Sequence, residues 1–189
     1  MSQLEIFATI ITAIAVFLAG RNSIHTWWTG IIGCIAYAFI FYDVKLYSDV
    51  ILQVFFLGTG IAGWLNWHKM KNDATPIQYE TGSNLYMLLL VGIVMVAIVG
   101  FCVDTFTDGH YPFPDSAILC FSVIGQLLLV RRKIQTWYFW IVVNLIGIPV
   151  FWSRGLELTS YLYFGFLIHA FLALYQWKKL YNSQETKGA

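Results

Sequence analysis

The chain has 189 residues, of which 59% are hydrophobic and 11% are charged, and its formal net charge at pH 7 is +1. A soluble globular domain carries roughly 25% charged residues, so this composition indicates an integral membrane protein. Apolar spans occupy nearly the whole length. They leave no room for a soluble catalytic domain or a nucleotide-binding fold, and no nucleic-acid partner is expected.

Seven apolar segments are candidates for transmembrane helices. They run over Leu4–Gly20, Thr26–Tyr42, Asp49–Trp67, Asn84–Val103, Ser116–Val130, Trp137–Trp152 and Leu158–Trp177. A spanning helix needs about 20 mainly apolar residues, with a range of ~17–25, so the fifth and sixth segments are short. The first segment lacks both a basic region before it and a convincing cleavage site, and it is therefore interpreted as a helix and not as a secretory signal.

The basic residues indicate how the chain is oriented. With seven spans, nine lysines and arginines lie on one side of the membrane, and only Lys45 and Arg154 lie on the other. Lysine and arginine are concentrated in the cytoplasmic segments of membrane proteins. The sequence therefore predicts an N-terminus outside the cell and a C-terminus in the cytoplasm.

The chain also contains an internal repeat. Residues 22–70 align without a gap on residues 132–180, a shift of 110 positions that gives 11 identities in 49 pairs. Two of the identities are the tryptophan pairs Trp27 with Trp137 and Trp67 with Trp177. The fourth helix reverses the chain between the copies, so both copies run in the same direction, as in transporters built from parallel repeats. The predicted segments are a first three-helix repeat over 1–71, a linker helix over 84–106 and a second three-helix repeat over 115–182.

No catalytic or metal-binding motif is present in the sequence. Cys34, Cys102 and Cys120 fall in or near apolar spans, without the spacing of a disulfide framework or of a zinc site. Walker loops, nucleophile elbows and His-Glu-x-x-His pairs are all missing. The prediction is that the protein is not an enzyme and uses neither a metal nor a cofactor.

Polar residues inside the third span are candidates for ligand binding, because such groups usually face the helix bundle or a water-filled path. Gln53 is followed at spacings of three or four by Phe56, Gly60, Trp64 and Trp67, which places them on one helical face. Gln53 offers an amide, Gly60 a gap where a ligand could approach the backbone, and Trp64 an aromatic wall. For the glycine, close helix packing is the alternative.

The sixth span contains a second row of candidate residues. Trp137, Trp140 and Asn144 are three and four residues apart and stack along one helical face. Pro149 removes the backbone hydrogen bond to Leu145 and is expected to kink the helix. Trp137 alone is equally well explained as a residue of the aromatic belt at the membrane surface.

In the seventh span, Tyr163 and His169 complete the set of predicted binding residues. For His169, a hydrogen-bonded interior histidine is the alternative to a functional role. Several candidates differ from their partners in the other copy, as a single asymmetric ligand would require. The diverged pairs are Asn144 with Cys34, Gln53 with Tyr163, and Trp140 with Gly30.

Several motifs together resemble the PnuC family of vitamin transporters. They are Leu52-Gln53-Val54-Phe55-Phe56, Gly63-Trp64-x-x-Trp67, Pro112-Phe113-x-Asp115-Ser116, Arg132-Lys133 and Trp137-x-x-Trp140-x-x-x-Asn144. The resemblance implies a seven-helix, 3+1+3 fold that is similar in architecture to the SWEET transporters and forms a homotrimer in the bacterial inner membrane. It also implies facilitated diffusion of an unphosphorylated vitamin, which a cytoplasmic kinase then traps without forming a stable complex with the transporter.

The choice of vitamin depends on two positions. Carriers of nicotinamide riboside in this family are expected to have asparagines where this chain has Gly60 and Leu172. Their loss leaves an aromatic, sparsely polar pocket, and cation–π attraction of ~0.5–2 kcal/mol would favour a flat cation. The sequence therefore favours thiamine, with nicotinamide riboside as the alternative and riboflavin third. The alternative outside this class is a non-transporting membrane assembly protein. Such a protein would not need polar residues that differ between the two copies at matched helix positions.

Overall fold

The computed structural model describes residues 3–43, 47–69, 77–106, 112–153, 155 and 157–188. Those residues form seven α-helices, which confirms the predicted all-α fold. They are α1 (Gln3–Gly20), α2 (His25–Asp43), α3 (Tyr47–Lys69), α4 (Gly82–Phe106), α5 (Pro112–Val130), α6 (Thr136–Ser153) and α7 (Glu157–Gly188).

The helices belong to two compact units, Met1–Pro76 and Ile77–Ala189. In the first unit, α2 packs against both α1 and α3. In the second unit, α6 packs in the same way against α5 and α7, and α4 packs against α5. The linker helix α4 therefore forms one compact body with the second three-helix group.

Helix lengths and composition fit a membrane environment. Among the described residues, α4, α5 and α6 are each long and apolar enough to cross a membrane, and Ile6–Gly20 is a shorter apolar stretch. Helix α6 continues through Pro149 to Ser153. Helix α7 has 32 residues and runs well past the predicted end at Trp177. At about 1.5 Å per residue, it is longer than the ~30 Å hydrocarbon layer requires.

The internal repeat extends to the turns that lead into α2 and α6. Asn22 and Arg132, which are 110 positions apart, have φ angles of 52° and 53° in the left-handed region. The next residues repeat the same hydrogen bond: Ser23 N–H donates to Leu18 at 3.0 Å, and Lys133 N–H donates to Leu128 at 2.9 Å. These bonds satisfy carbonyls that the ends of α1 and α5 would otherwise leave free. The two copies therefore share their backbone turn although Asn22 and Arg132 differ in chemistry.

A buried threonine links the first two helices of each copy. The Thr26 hydroxyl donates to the Ala15 carbonyl at 2.8 Å, and the Thr136 hydroxyl donates to the Gly125 carbonyl at 2.7 Å. Both acceptors lie 11 residues before their donor. Hydrogen bonds between helices in membrane proteins contribute about 0.6 kcal/mol on average. The identity of Thr26 and Thr136 therefore has a structural cause.

Tryptophan pairs form the centre of both copies. Trp27 and Trp67 are edge-to-face with ring centroids 5.2 Å apart, and Trp137 and Trp177 repeat the arrangement at 5.6 Å. Trp67 and Trp177 are fully buried. Edge-to-face aromatic pairs contribute about 0.5–1.5 kcal/mol beyond the burial of their surface. The matched tryptophans are thus packing anchors in each unit.

Candidate functional site

In the first unit, Gln53 lies in a groove between α2 and α3. The groove has a volume of about 410 Å³ and is almost entirely apolar. Its lining comprises Cys34, Ile35, Ala38, Phe39, Tyr42, Val50, Gln53, Val54 and Leu57. Ligand pockets of this kind typically combine an apolar wall with a few polar groups that fix orientation. Gln53 is thus a half-buried residue beside a space large enough for a vitamin, and almost none of the surface of that space is polar.

The other two candidates on α3 lie in different surroundings. A side chain added at Gly60 would meet Ile31 Cγ1 at 3.0 Å, so the space above this glycine is already filled. Close helix packing therefore accounts for Gly60. Trp64 is 46% exposed, whereas Trp67, on the next turn, is fully buried. The predicted face of Gln53, Trp64 and Trp67 is therefore not one continuous surface. Trp67 packs inside the unit, and Trp64 is partly exposed.

In the second unit, Trp140 and Asn144 are held together on α6. Asn144 is 4% exposed, and its Nδ2 donates to the Trp140 carbonyl at 2.8 Å. The Trp140 indole is half-buried and lies over Gly125, since a side chain added there would meet its Cε2 at 3.4 Å. The structure thus brings one indole and one buried amide to the same part of α6, as the sequence predicted.

Trp137 has a more enclosed position than its neighbour Trp140. It is 2% exposed and packs edge-to-face against Trp177 and, with centroids 6.0 Å apart, against His169. A belt residue needs contact with the membrane surface, so the belt interpretation does not fit this buried ring. Among the described residues, the Trp137 indole nitrogen is buried without a hydrogen-bond partner.

Tyr163 has an interior packing position. A side chain added at Gly147 would meet Tyr163 Cδ1 at 2.5 Å, so the ring fills the space above this glycine, and it also contacts Phe151. In the first copy the large and the small residue are exchanged. Tyr37 stands at the position of Gly147, and Gln53 stands at the position of Tyr163. The first copy therefore carries its ring on the middle helix and has the smaller Gln53 on the last one, where the groove lies.

Cys34 also lines the groove, although it was not among the binding residues predicted from the sequence. It lines the same space as Gln53, and it aligns with Asn144 in the second copy. The repeat alignment contained this signal, because a position that carries the key amide in one copy is worth testing in the other. In the part of the chain that the structure describes, no group of three or more metal-ligating side chains comes together.

Known proteins resemble this chain over nearly its full length. Residues 2–179 match the family model described as nicotinamide mononucleotide transporter. The nicotinamide riboside transporter PnuC of Escherichia coli (strain K12) is 23% identical, with 100% of this chain and 89% of that protein covered. PnuC of Neisseria mucosa is 23% identical, with 95% and 73% covered. The riboflavin/roseoflavin transporter RibM of Streptomyces davaonensis is 20% identical, with 84% and 76% covered.

A solved structure shares the fold. The crystal structure of the vitamin B3 transporter PnuC matches with a TM-score of 0.76 at 20% identity, covering 96% of this chain and 83% of that one. The match agrees with the seven helices described above. The chain therefore belongs to the PnuC family of membrane vitamin transporters.

Proposed function

We propose that this protein takes up nicotinamide riboside across the bacterial inner membrane. The observation that carries the proposal is the Trp140–Asn144 pair on α6, an indole one helical turn from a buried amide whose Nδ2 donates to the Trp140 backbone carbonyl at 2.8 Å. Relatives that match nearly the whole chain are named nicotinamide riboside transporters. The sequence alone favoured thiamine, whereas these relatives favour nicotinamide riboside.

The chemistry of the pair suits a flat cation with polar substituents. An indole face attracts a cationic ring by ~0.5–2 kcal/mol. Asn144 uses one N–H on the Trp140 carbonyl, and an amide side chain has in addition a second N–H and a carbonyl oxygen. Those groups can pair with a carboxamide or a hydroxyl of the ligand. In this proposal Trp137 and His169 support the ring wall within the second unit.

Thiamine is the second candidate, and two positions favour it. Gly60 has no side chain to offer, and Ile31 occupies the space above it. Leu172 is 55% exposed and apolar. Without amides at these positions, the site has fewer partners for a ribose and a carboxamide. Thiamine has one aminopyrimidine edge and one hydroxyl, so it needs fewer polar partners.

Transport by facilitated diffusion follows from what the sequence lacks. No nucleotide-binding motif is present, and no aspartate or glutamate lies in the middle of a predicted span. In this scheme the vitamin moves down its gradient unchanged, and phosphorylation by a cytoplasmic kinase prevents its return. The homotrimer implied by the family resemblance and the external N-terminus belong to the same proposal.

Binding and uptake measurements test the proposal directly. Calorimetry on purified protein with nicotinamide riboside, thiamine and riboflavin is expected to rank nicotinamide riboside first. Asn144→Leu should weaken binding by about 1–3 kcal/mol, because a polar group of the bound ligand would be left unpaired. Trp27→Phe, at a packing anchor of the other unit, is the control and should change affinity less.

Three outcomes would contradict parts of this proposal. Tighter binding of thiamine would replace the substrate. Unchanged affinity in both Asn144→Leu and Trp140→Ala would place the site elsewhere. In liposomes, accumulation that depends on an imposed ion gradient and is abolished by an ionophore would exclude facilitated diffusion and would point to His169 as a titrating group.

A further inference from the structure

A short segment before α4 is joined to the turn that begins α6. We call Ile77–Glu80 the strap. Gln78 N–H donates to the Arg132 carbonyl at 3.1 Å, and Ile134 N–H donates to the Gln78 carbonyl at 2.9 Å, as in a parallel β-bridge. Ile77 and Ile134 are 2% and 0% exposed. The backbone of the strap is therefore fixed to the α5–α6 turn from both directions.

Two side chains from the α6 side extend this pairing. The Gln135 side chain accepts from Glu80 N–H at 2.9 Å and donates from Nε2 to the Glu80 carbonyl at 3.1 Å. Lys133 Nζ donates to Gln78 Oε1 at 3.1 Å and to the Tyr79 carbonyl at 3.4 Å. It also lies 3.8 Å from Glu80 Oε2. Hydrogen bonds to an ionised group are stronger than bonds between neutral groups. The bonds from Lys133 are therefore expected to be the strongest side-chain contacts of the strap.

The strap connects the starts of two helices. The Glu80 carboxylate accepts from Thr81 N–H at 3.2 Å and from Asn84 Nδ2 at 3.0 Å, at the point where α4 begins. The turn on its other side leads directly into Trp137, whose N–H donates to Ile134. Tyr79 adds an edge-to-face contact with Tyr181 on α7, with centroids 4.8 Å apart.

The first copy has the same turn with different surroundings. Ser23 and His25 align with Lys133 and Gln135, and their hydrogen bonds are local. His25 N–H donates to the Ser23 hydroxyl, and His25 Nδ1 accepts from Trp28 at 2.8 Å. Among the described residues, the first copy closes this turn without a strap, so the stability of the turn alone does not explain the strap.

We infer that the strap holds the first turns of α6, and with them Trp140 and Asn144, in the position that binds the ligand. Lys133 and Gln135 are positioning residues, because they act through the backbone of α6 and lie outside the proposed binding residues. This inference rests on the proposed function, since it concerns the same site. It adds a region on the side predicted to be cytoplasmic that sets ligand affinity from outside the pocket.

The test compares matched losses of charge on one turn. Lys133→Met removes every strap bond of this side chain, and Lys133→Arg keeps the charge and the donors. Arg131→Met is the control, because Arg131 is exposed and basic, neighbours the same turn, and acts on Glu80 through its charge without a hydrogen bond to the strap among the described residues. We expect Lys133→Met to raise the Kd for nicotinamide riboside about tenfold, the equivalent of one lost charge-assisted hydrogen bond. Lys133→Arg and Arg131→Met should stay within about twofold of the parent.

Transport kinetics separate positioning from general stability. In liposomes, Lys133→Met should raise the KM while the maximal rate per folded protein stays close to that of the parent. Gln135→Met, which has similar volume and lacks both amide bonds, is the second variant and should behave in the same way. Unchanged Kd and KM in the folded forms of both variants would overturn the inference. So would an equal loss in Arg131→Met.

A different readout keeps the inference separate from the proposed function. If the parent binds none of nicotinamide riboside, thiamine and riboflavin, the proposed function fails. Hydrogen exchange at the amides of Thr136 and Trp137 then tests the strap alone. Faster exchange in Lys133→Met than in Arg131→Met supports positioning, and equal exchange rates refute it.

Discussion

At the scale of single residues, glycines on α3 show how closely α2 and α3 pack. A side chain added at Gly63 would meet three ring carbons of Trp27 at 2.5 Å, whereas one added at Gly58 would meet nothing within 4 Å. Both glycines lie in the same helix, but Gly63, like Gly60, is covered by a side chain of α2 and Gly58 is not. Composition alone therefore does not identify the contact.

We predict opposite effects for two substitutions on this helix. Gly63→Ala should lower the free energy of unfolding by about 1–3 kcal/mol, because Trp27 is held against Trp67 and cannot move aside easily. Gly58→Ala should raise it by about 0.5–1 kcal/mol, because alanine loses less backbone entropy in a helix. Thermal unfolding of both variants in the same detergent measures the difference. Equal midpoints would show that the Trp27–Gly63 contact is loose.

Asn144 combines a structural hydrogen bond with its proposed role in ligand binding. Its Nδ2 bond to the Trp140 carbonyl fixes its rotamer within α6, and a fixed amide loses little further freedom when it binds a ligand. Tyr163 was also predicted to bind the ligand, but its ring packs against Gly147. The chemistry of both side chains suggested a site. Their packing partners distinguish them.

At the scale of elements, the strap is joined to α4 and α6 by hydrogen bonds and to α7 by the ring contact between Tyr79 and Tyr181. The bond from Asn84 to the Glu80 carboxylate lowers the pKa of Glu80, and the Thr81 backbone bond and the nearby charges of Lys133 and Arg131 lower it further, against the opposing effect of burial. Because the folded-state pKa is below the ordinary value, the carboxylate stabilises the folded state at neutral pH.

We predict a pH dependence with a defined sign. The contribution of Glu80 should be fully present above about pH 4.3, the ordinary pKa of glutamate, and should be lost as the pH falls through its lower folded-state pKa. At neutral pH, Glu80→Gln should be less stable than the parent by at most about 1 kcal/mol, since the pair is near the surface. Unfolding midpoints of both proteins at pH 7 and pH 3.5 measure this. A gap of the same size at both values would show that the charge of Glu80 is not responsible.

At the scale of the whole molecule, two units contain the same three-helix arrangement. The turn angles at Asn22 and Arg132 and the threonine bonds to Ala15 and Gly125 recur at a spacing of 110 residues. Each unit has its own tryptophan pair, and among the described residues only the second has the strap and α4. The two three-helix scaffolds are therefore equivalent, whereas their polar side chains differ.

The basic residues give a prediction for the whole chain. Reporter fusions after Lys71, Lys133 and Ala189 should all report the cytoplasm, and a fusion after Asp108 should report the outside, because nine of eleven basic residues would then be inside. Activity of paired cytoplasmic and periplasmic reporters provides the measurement. Opposite locations for Lys71 and Lys133 would exclude a repeat with both copies in the same orientation.

The sequence by itself determined the number of helices, the repeat and the family. Hydrophobic spans are local features whose length the bilayer sets, so they can be counted without knowing what packs on what. The repeat could be aligned because Thr26, Trp27 and Trp67 have the same packing partners as Thr136, Trp137 and Trp177. The motif of Trp140 and Asn144 was also visible, because three- and four-residue spacings define a helical face.

Only the tertiary structure decided which candidates lie free and which are packed. Gly60 is closed by Ile31, Tyr163 fills the space above Gly147, and Trp137 is buried against Trp177. The strap could not be predicted from the sequence, because Glu80 and Gln135 are 55 residues apart and no local pattern joins them. Spacing along one helix fixes which side chains share a face, but the neighbouring helix determines whether that face meets a ligand, a lipid or another side chain.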